Sequence, residues 1–140
     1  MEYRVETLIQ ADPERIWPIL ADAPSWPEWN SGVERVEGQI APGERIKVVS
    51  ELNPGRAFPV KVTELEPGRG MTWTGGMPLG LCKGVRTFEL RPEADGATRF
   101  TMQERFSGPL LALMGRSIPD LSPSFDQFAR GLKERAERGG

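Results

Sequence analysis

Apolar and polar side chains alternate along most of this 140-residue chain, and such alternation predicts β-strands. The first alternating segment covers residues 2–9. From Val33 onward, six more such segments are separated by short turns such as Asn53-Pro54-Gly55. Strands that follow one another through short turns form an antiparallel meander. The pattern therefore predicts an antiparallel sheet of about six to seven strands.

Helical spacing replaces the alternation in two places. Asp12 is a predicted N-cap with Pro13 at the first helical position, and Pro18 makes this first helix short or kinked. The prolines that follow confine the next segment to a turn or a single helical turn. Ser122 is the predicted N-cap of a long C-terminal helix. Its apolar residues recur at helical spacing, and they are Phe125, Phe128, Ala129, Leu132 and Ala136.

Composition excludes several kinds of chemistry. The chain has no histidine, which removes serine–histidine and cysteine–histidine catalysis, histidine metal sites and the usual general base at neutral pH. The single cysteine, Cys82, cannot form an internal disulfide. No metal site is predicted, and the absence of a phosphate-binding glycine motif leaves no cofactor predicted.

The charge and length of the chain limit its partners and location. The net charge is −2 and no basic stripe is present, which argues against nucleic acid as a partner. No segment approaches the roughly 18 apolar residues of a membrane span, so no integral membrane association is expected. The N-terminal segment does not resemble a signal peptide, which favours a cytoplasmic protein. The length predicts one domain covering residues 1–140.

Four segments of the chain resemble the START/Bet v1-like (SRPBCC) superfamily, which includes small bacterial polyketide cyclase/dehydrase-like proteins. They are ADPERIW at 11–17 after the first strand, WPEWN at 26–30, ELEPGR at 64–69 before the strand with Trp73, and FSG at 106–108. The resemblance implies an α+β helix-grip fold. In that fold a curved antiparallel sheet wraps around a long C-terminal helix, with two short helices after the first strand. It also implies a cavity between the sheet and the C-terminal helix.

Two charged residues fall on the apolar faces of the sixth and seventh strands. Alternation places Arg86 on the face of Phe88, and Glu104 on the face of Met102. With residues 94–96 as a three-residue hairpin loop, Arg86 lies opposite Glu104, with Cβ atoms about 4.5–5.5 Å apart. We predict a cross-strand ion pair inside the cavity. This pair either fixes the strand register or orients a polar group of a ligand.

The other candidate ligand contacts are apolar side chains, for each of which core packing is the more ordinary role. They are Trp29, Met71, Trp73, Met77, Cys82, Phe88, Met102, Phe106, Leu113, Leu121, Phe125 and Phe128. Together they predict a pocket for a hydrophobic or aromatic compound. The Gly75–Gly80 loop either folds Met77 and Leu79 back onto the core or acts as a gate over the pocket.

Three functions are compatible with these features. The first is binding of a small hydrophobic ligand such as a lipid, polyketide or isoprenoid, by a monomer or weak homodimer. The second is a polyketide cyclase or dehydratase with Glu104 as acid–base and Arg86 holding an enolate or carbonyl. The third is a protein-partner or stress-response module. We expect the first, because it needs a cavity but no catalytic group, and because a neighbouring cation weakens a carboxylate as a base.

Overall fold

The computed structural model describes residues 1–76, 78–114 and 120–138, without the side chains of residues 78, 113 and 114. Seven strands form one sheet: β1 (Glu2–Ile9), β2 (Val33–Glu37), β3 (Arg45–Ser50), β4 (Ala57–Glu66), β5 (Gly70–Gly76), β6 (Lys83–Pro92) and β7 (Thr98–Ser107). The α-helices are α1 (Pro13–Ala21), α2 (Leu111–Met114) and α3 (Ser122–Arg138), and a 3₁₀ helix covers Ala23–Trp29. The predicted α+β fold is confirmed.

The strand order is β1-β7-β6-β5-β4-β3-β2, with every neighbouring pair antiparallel. The first and last strands are therefore neighbours, with Glu2 opposite Arg105 and Ile9 opposite Thr98. The curved sheet packs its concave face against α3, which contacts β1, β7 and α1. This arrangement is the helix grip that the sequence predicts. None of the described helices has the length and apolar character needed to span a membrane.

The first helix begins as the sequence predicts. The Asp12 carboxylate accepts a hydrogen bond from the backbone N–H of Arg15 at 3.0 Å, and Pro13 lies in the first turn. Pro18 lies inside the helix, which ends after nine residues. The helix is short, in agreement with the prediction.

The start of α3 differs from the prediction by one residue. Ser122 is already helical, because the N–H of Phe125 donates to the carbonyl of Leu121 at 2.9 Å and so places Leu121 at the cap position. A leucine side chain cannot accept a hydrogen bond. The Asp120 carboxylate instead accepts from the N–H of Ser122 at 3.0 Å, and this bond lowers the pKa of Asp120.

Aromatic side chains fill the space between the sheet and α3. Trp26 is fully buried, stacks on Trp73 with ring centroids 5.2 Å apart, and meets the edge of Phe128 at 4.8 Å. Phe88 and Phe100 join the same cluster from β6 and β7. These contacts form a closely packed core in the middle of the sheet.

The β3–β4 connection, the β5–β6 connection and the segment that follows β7 lie at the same end of the sheet. The strand register brings the start of β4 beside the end of β5, and Lys83 at the start of β6 beside Ser107 at the end of β7. The first turn of α3 lies at the same end, because Phe125 contacts Tyr3 near the start of β1 with ring centroids 6.1 Å apart. We name this the loop end, and it comprises residues 1–3, 51–58, 78–83, 107–111 and 120–122.

Candidate functional site

The hairpin formed by β6 and β7 brings Arg86 and Glu104 together. Glu93 donates its N–H to the carbonyl of Ala97 at 2.8 Å, and Gly96 has a φ of 77°, as the predicted loop requires. Arg86 lies opposite Glu104 in the register, and its Nε donates to Glu104 Oε2 at 2.9 Å. The predicted cross-strand ion pair is confirmed.

The ion pair is only partly shielded from solvent. The side chains of Arg86 and Glu104 are 24% and 13% exposed. The guanidinium of Arg86 lies over the ring of Phe125, 5.0 Å from its centroid, which is a cation–π contact between β6 and α3. Glu104 Oε1 lies 3.4 Å from the position that a Cβ would occupy at Gly84. The Phe106 ring packs at the same place, with its Cε1 atom 3.2 Å from that Cβ position, so the absence of a side chain at Gly84 accommodates both the ring and the carboxylate.

The pair marks a boundary on the concave face of the sheet. It belongs to a row of opposed residues that runs across five strands: Val62, Trp73, Arg86, Glu104 and Tyr3. The next row, farther from the loop end, is apolar: Leu65, Met71, Phe88, Met102 and Val5. The row on the other side contains two neighbouring glycines: Val60, Gly75, Gly84 and Phe106. The polar pair therefore separates the aromatic core from the loop end.

The predicted contact residues fall into two groups. The first group is buried in the core: Trp29, Met71, Trp73, Phe88, Met102 and Phe128. The second group lies near the loop end and consists of the ion pair, Arg86 and Glu104, the neighbouring rings Phe106 and Phe125, and Leu121, which packs against the core. Cys82 is buried just before β6. Met77 lies outside the described residues, and so does the side chain of Leu113.

Leu79 does not fold back onto the core, so the first of the two interpretations of this loop was wrong for Leu79. Its side chain is 97% exposed. A backbone hydrogen bond holds this loop instead: the N–H of Leu110 donates to the carbonyl of Leu81 at 2.9 Å. Backbone contacts thus replace side-chain packing as the anchor of this loop.

Tyr3 is a site residue that sequence reasoning missed. Its ring meets Phe106 edge-on at 6.3 Å and Phe125 at 6.1 Å, so it joins β7 to α3 beside the ion pair. Alternation along β1 could have placed Tyr3 on the inner face with Val5. It could not show that Tyr3 lies opposite Glu104, because that contact joins segments about 100 residues apart.

Trp29 carries a buried donor without an acceptor among the described residues. Its indole N–H makes no hydrogen bond, and the residue is 6% exposed. In contrast, the N–H of Trp26 donates to the carbonyl of Leu20 at 3.1 Å, and that of Trp73 contacts Met71 Sδ at 3.3 Å. A buried polar group without a partner costs about 1–3 kcal/mol. Trp29 is therefore a donor that is still available to a polar atom.

Two hollows of the molecule are lined by neither Arg86 nor Glu104. One, of about 790 Å³, surrounds the β4–β5 turn and carries charges of both signs, on Glu64, Glu66, Arg69, Glu89 and Arg91. The other, of about 430 Å³, lies on β3 to β6. Neither of these two lies between the described part of α3 and the sheet. Within the described residues, no three His, Cys, Asp or Glu side chains are grouped as metal ligands require.

Solved structures share this fold at low sequence identity. A protein from Mesorhizobium loti has a TM-score of 0.77 at 21% identity, covering 100% of this chain and 99% of that one. A START superfamily protein from Mycobacterium smegmatis has a TM-score of 0.71 at 14% identity, covering 99% of both chains. An aromatase/cyclase from a Streptomyces species has a TM-score of 0.73 at 13% identity, covering 99% of this chain and 94% of that one. At sequence identities of 13% to 21%, the structural similarity establishes only that the fold is shared.

Sequence comparison identifies the family. No curated protein matches the chain. The family described as "polyketide cyclase / dehydrase and lipid transport" matches residues 1–137, nearly the whole length. Family and fold together indicate ligand binding or a cyclase function. The chain belongs to the polyketide cyclase/dehydrase and lipid-transport family, and with it to the START/Bet v1-like (SRPBCC) superfamily.

Proposed function

We propose that this protein binds a small hydrophobic or aromatic molecule that carries a polar group, on the concave face of the sheet near the loop end. The observation that carries the proposal is the half-buried Arg86–Glu104 pair at the boundary of the aromatic core. Placing two charges on an apolar face costs desolvation energy, which their attraction offsets only in part. Contact with a polar group of a ligand gives these two charges a function in addition to fixing the strand register.

The free atoms of the pair define the polar group that would fit. Arg86 uses Nε for Glu104, so the remaining guanidinium N–H groups can donate to a ligand oxygen. Glu104 Oε1, next to Gly84, can accept from a ligand hydroxyl. A phenol, an enol or a hydroxy-ketone offers both a donor and an acceptor. The N–H of Trp29, which has no acceptor within the described part of the chain, is a further donor on the core side.

The surroundings of the pair suit a planar apolar ligand. Tyr3, Phe106 and Phe125 present three rings around it, with centroid distances of 6.1 to 6.3 Å. Gly75 and Gly84 lie opposite each other, and the side chains of Val60 and Phe106 pack against them on this part of the concave face. Aromatic rings next to a few placed polar groups are typical of small-molecule sites. The aromatase/cyclase among the similar structures is consistent with an aromatic or polyketide-like ligand.

A titration with the fluorescent probe anilinonaphthalene sulfonate tests this proposal. We expect Arg86→Met to weaken binding about tenfold, because one charge-assisted hydrogen bond is lost. Arg91→Met is the matched control: Arg91 lies on the same strand, pairs with Glu89 at 3.0 Å and is 67% exposed. If the two variants bind the probe with equal affinity and circular dichroism shows that both are folded, the Arg86–Glu104 pair is not part of the binding site. Native mass spectrometry of the purified protein then identifies any bound natural ligand.

A cyclase or dehydratase reaction is the second candidate, and Glu104 Oε1 favours it, because the described hydrogen bond to Arg86 uses only Oε2. A general base must lie within hydrogen-bond reach of the proton that it removes, and this oxygen is the one that Arg86 leaves free to accept a proton. Glu104→Gln separates the two functions. If the protein is an enzyme, the variant retains probe binding but no longer cyclises a poly-β-ketone substrate; if it only binds, neither protein turns the substrate over.

A further inference from the structure

The hollow of about 430 Å³ lies on the convex face of the sheet, on the side opposite α3. Lys61 on β4 lines this hollow, and the next residue, Val62, is buried in the core on the concave side. Thr74 on β5 lies opposite Lys61, and its neighbour Trp73 is buried in the same core. Successive side chains of a strand point to opposite faces, so Lys61 and Thr74 lie on the convex face. We name this site the outer hollow, and its polar lining residues are Arg45, Lys61, Thr63, Thr74 and Lys83.

The charged residues that line the outer hollow are all cationic. They are Arg45, Lys61 and Lys83, and none of them forms an ion pair among the described residues. In contrast, Arg69 and Arg91 of the hollow around the β4–β5 turn each pair with a glutamate, at 3.8 and 3.0 Å. Residues 77, 115–119 and 139–140 contain no acidic side chain. The outer hollow is therefore a local excess of positive charge in a chain whose net charge is −2.

Two of these cations occupy positions that are unfavourable for folding. Arg45 and Lys61 lie directly opposite each other on β3 and β4. Side chains at such positions have Cβ atoms about 4.5–5.5 Å apart, and like charges placed there destabilise a sheet. Lys47, two positions along β3, adds another positive charge to the same face. An anion bound between Arg45 and Lys61 replaces this repulsion with two attractive contacts.

Hydroxyl groups lie beside the cations. The Oγ1 atoms of Thr63 and Thr74 are 3.1 Å apart, and either one can be the donor. Thr74 can therefore accept from Thr63 and donate its own hydrogen to a ligand oxygen. Glu64, which follows the bulge in β4, does not line the outer hollow; its carboxylate accepts from Thr72 at 3.4 Å. The outer hollow thus offers an anion several donors and no carboxylate among its described lining residues.

We propose that the outer hollow binds a small soluble molecule that carries a diphosphate group. Its three lining cations match the roughly three negative charges of a diphosphate ester at neutral pH. Arginine binds phosphate oxygens in pairs, and lysine acts as a point charge beside them. A concave surface lined by charges of one sign also raises the local concentration of the opposite ion.

The size of the outer hollow favours an organic phosphate. Its volume of about 430 Å³ falls within the range of about 300–1,000 Å³ that is typical of small-molecule sites. Pro59 and Val60 add apolar lining, and a Cβ at Gly80 would have no described neighbour within 4 Å. The organic part of the ligand therefore has space beside the cations. This site goes beyond the proposed function, because it lies on the other face of the sheet and uses neither Arg86 nor Glu104.

Isothermal titration calorimetry with inorganic pyrophosphate tests the proposal. We expect saturable binding to wild type and about tenfold weaker binding to the double variant Lys61→Gln and Lys83→Gln, because two charged donors are lost. The control is Arg130→Gln with Arg138→Gln, which changes the net charge equally on the exposed surface of α3 and should leave the affinity unchanged. Absence of saturable binding to wild type overturns the proposal. Equal weakening in both double variants also overturns it, since that result indicates a general charge effect.

The stability of the ligand-free protein gives a second readout. Lys61→Gln removes the repulsion with Arg45, so its Tm without pyrophosphate should be higher than that of wild type. The increase in Tm that pyrophosphate causes should be smaller in this variant, because a ligand stabilises a protein in proportion to the logarithm of its binding. Lys133→Gln is the control: Lys133 is paired with Glu137 at 2.6 Å, so its loss should lower the Tm and leave the pyrophosphate response intact. A full pyrophosphate response in Lys61→Gln contradicts the proposal.

A blocked peptide of three glutamates tests the alternative occupant, an acidic protein. This peptide matches the charge of pyrophosphate but spaces its carboxylates along a chain. We expect pyrophosphate to bind about tenfold more tightly, because Arg45 and Lys61 can contact one compact anion together. Equal or tighter binding of the peptide would assign the outer hollow to an acidic protein and overturn the small-molecule site.

Discussion

Thr98 is a polar residue with no exposed surface, and a single hydrogen bond explains its burial. Its hydroxyl donates to the carbonyl of Ala11 at 2.7 Å, across 87 positions of sequence. The bond joins the start of β7 to the turn that precedes α1. A buried hydroxyl is tolerated only when it is paired in this way.

Thr98→Val removes this hydroxyl while keeping the shape of the side chain. We expect the free energy of unfolding to fall by about 1–2 kcal/mol, because the Ala11 carbonyl loses its buried donor. Urea denaturation followed by circular dichroism measures the change. Thr87→Val, at an exposed position of β6, is the control and should change stability by less than about 0.5 kcal/mol. A similar value for both variants would contradict the assigned role.

At the scale of elements, α3 approaches the 3₁₀ helix closely because Gly131 has no side chain. A Cβ at this position would lie 2.4 Å from the carbonyl oxygen of Trp29 and 2.7 Å from that of Asn30. Both are backbone atoms, which cannot move away as a flexible side chain could. The contact sets the position of α3 over the concave face and thus the position of Phe125 beside Arg86.

Gly131→Ala should therefore destabilise the protein, against the usual preference of helices for alanine. Alanine stabilises an open helical position by about 1 kcal/mol relative to glycine, but overpacking costs about 1–3 kcal/mol and more for a backbone clash. Thermal unfolding should show a lower Tm for Gly131→Ala and nearly no change for Arg130→Ala, at the neighbouring exposed position. A raised Tm for Gly131→Ala would mean that the helix can shift.

A second close approach holds the β5–β6 loop to the segment before α2. Gly108 has a φ of 117°, and a Cβ there would lie 2.6 Å from the carbonyl oxygen of Leu81. The N–H of Leu110 donates to that same oxygen. The two segments are joined by backbone contacts, so a change on one side moves the other.

Gly108→Ala should separate the two segments. Hydrogen exchange of the Leu110 amide should become faster, because the alanine Cβ displaces the carbonyl that protects it. Gly43→Ala is a matched control: Gly43 also has a positive φ, of 78°, but a Cβ there would have no described neighbour within 4 Å. Faster exchange in both variants would indicate general strain and not the loss of this contact.

At the scale of the whole molecule, several carboxylates hold distant parts of the chain together. Glu137 in α3 accepts from the N–H of Gln10 at 2.8 Å and from Lys133 at 2.6 Å, and these bonds lower its pKa. A hydrogen bond from Arg99 likewise lowers the pKa of Glu6. Groups of this kind favour folding only while they are ionised.

The stability difference between wild type and Glu137→Gln should depend on pH. Because the folded-state pKa of Glu137 lies below its ordinary value of 4.5, its contribution is fully present above that value and is lost as the pH falls through the folded-state pKa. Urea denaturation at a series of pH values should show wild type more stable near neutral pH. The difference should shrink in acid, and a constant difference would contradict a role for the ionised form.

Much of the fold could be predicted because strands and helices depend on neighbouring residues. The alternation of β6 and β7 and the loop at 94–96 were enough to place Arg86 opposite Glu104. The N-cap at Asp12 was also predictable, because the capping group is three residues from its donor. Leu121 at the cap of α3 was missed, since Asp120 takes over the capping bond from outside the helix.

By itself, the sequence determined the strands, the amphipathic last helix, the hairpin register and the ion pair, because each follows from interactions between residues close in the chain. Only the tertiary structure decided which surfaces meet. It brought Tyr3 to Glu104, left the indole N–H of Trp29 without an acceptor among the described residues, and collected exposed leucines from separate loops at one end. These features depend on the pairing of β1 with β7 and on the close approach of α3. Both join segments far apart in sequence, and local patterns carry no information about such contacts.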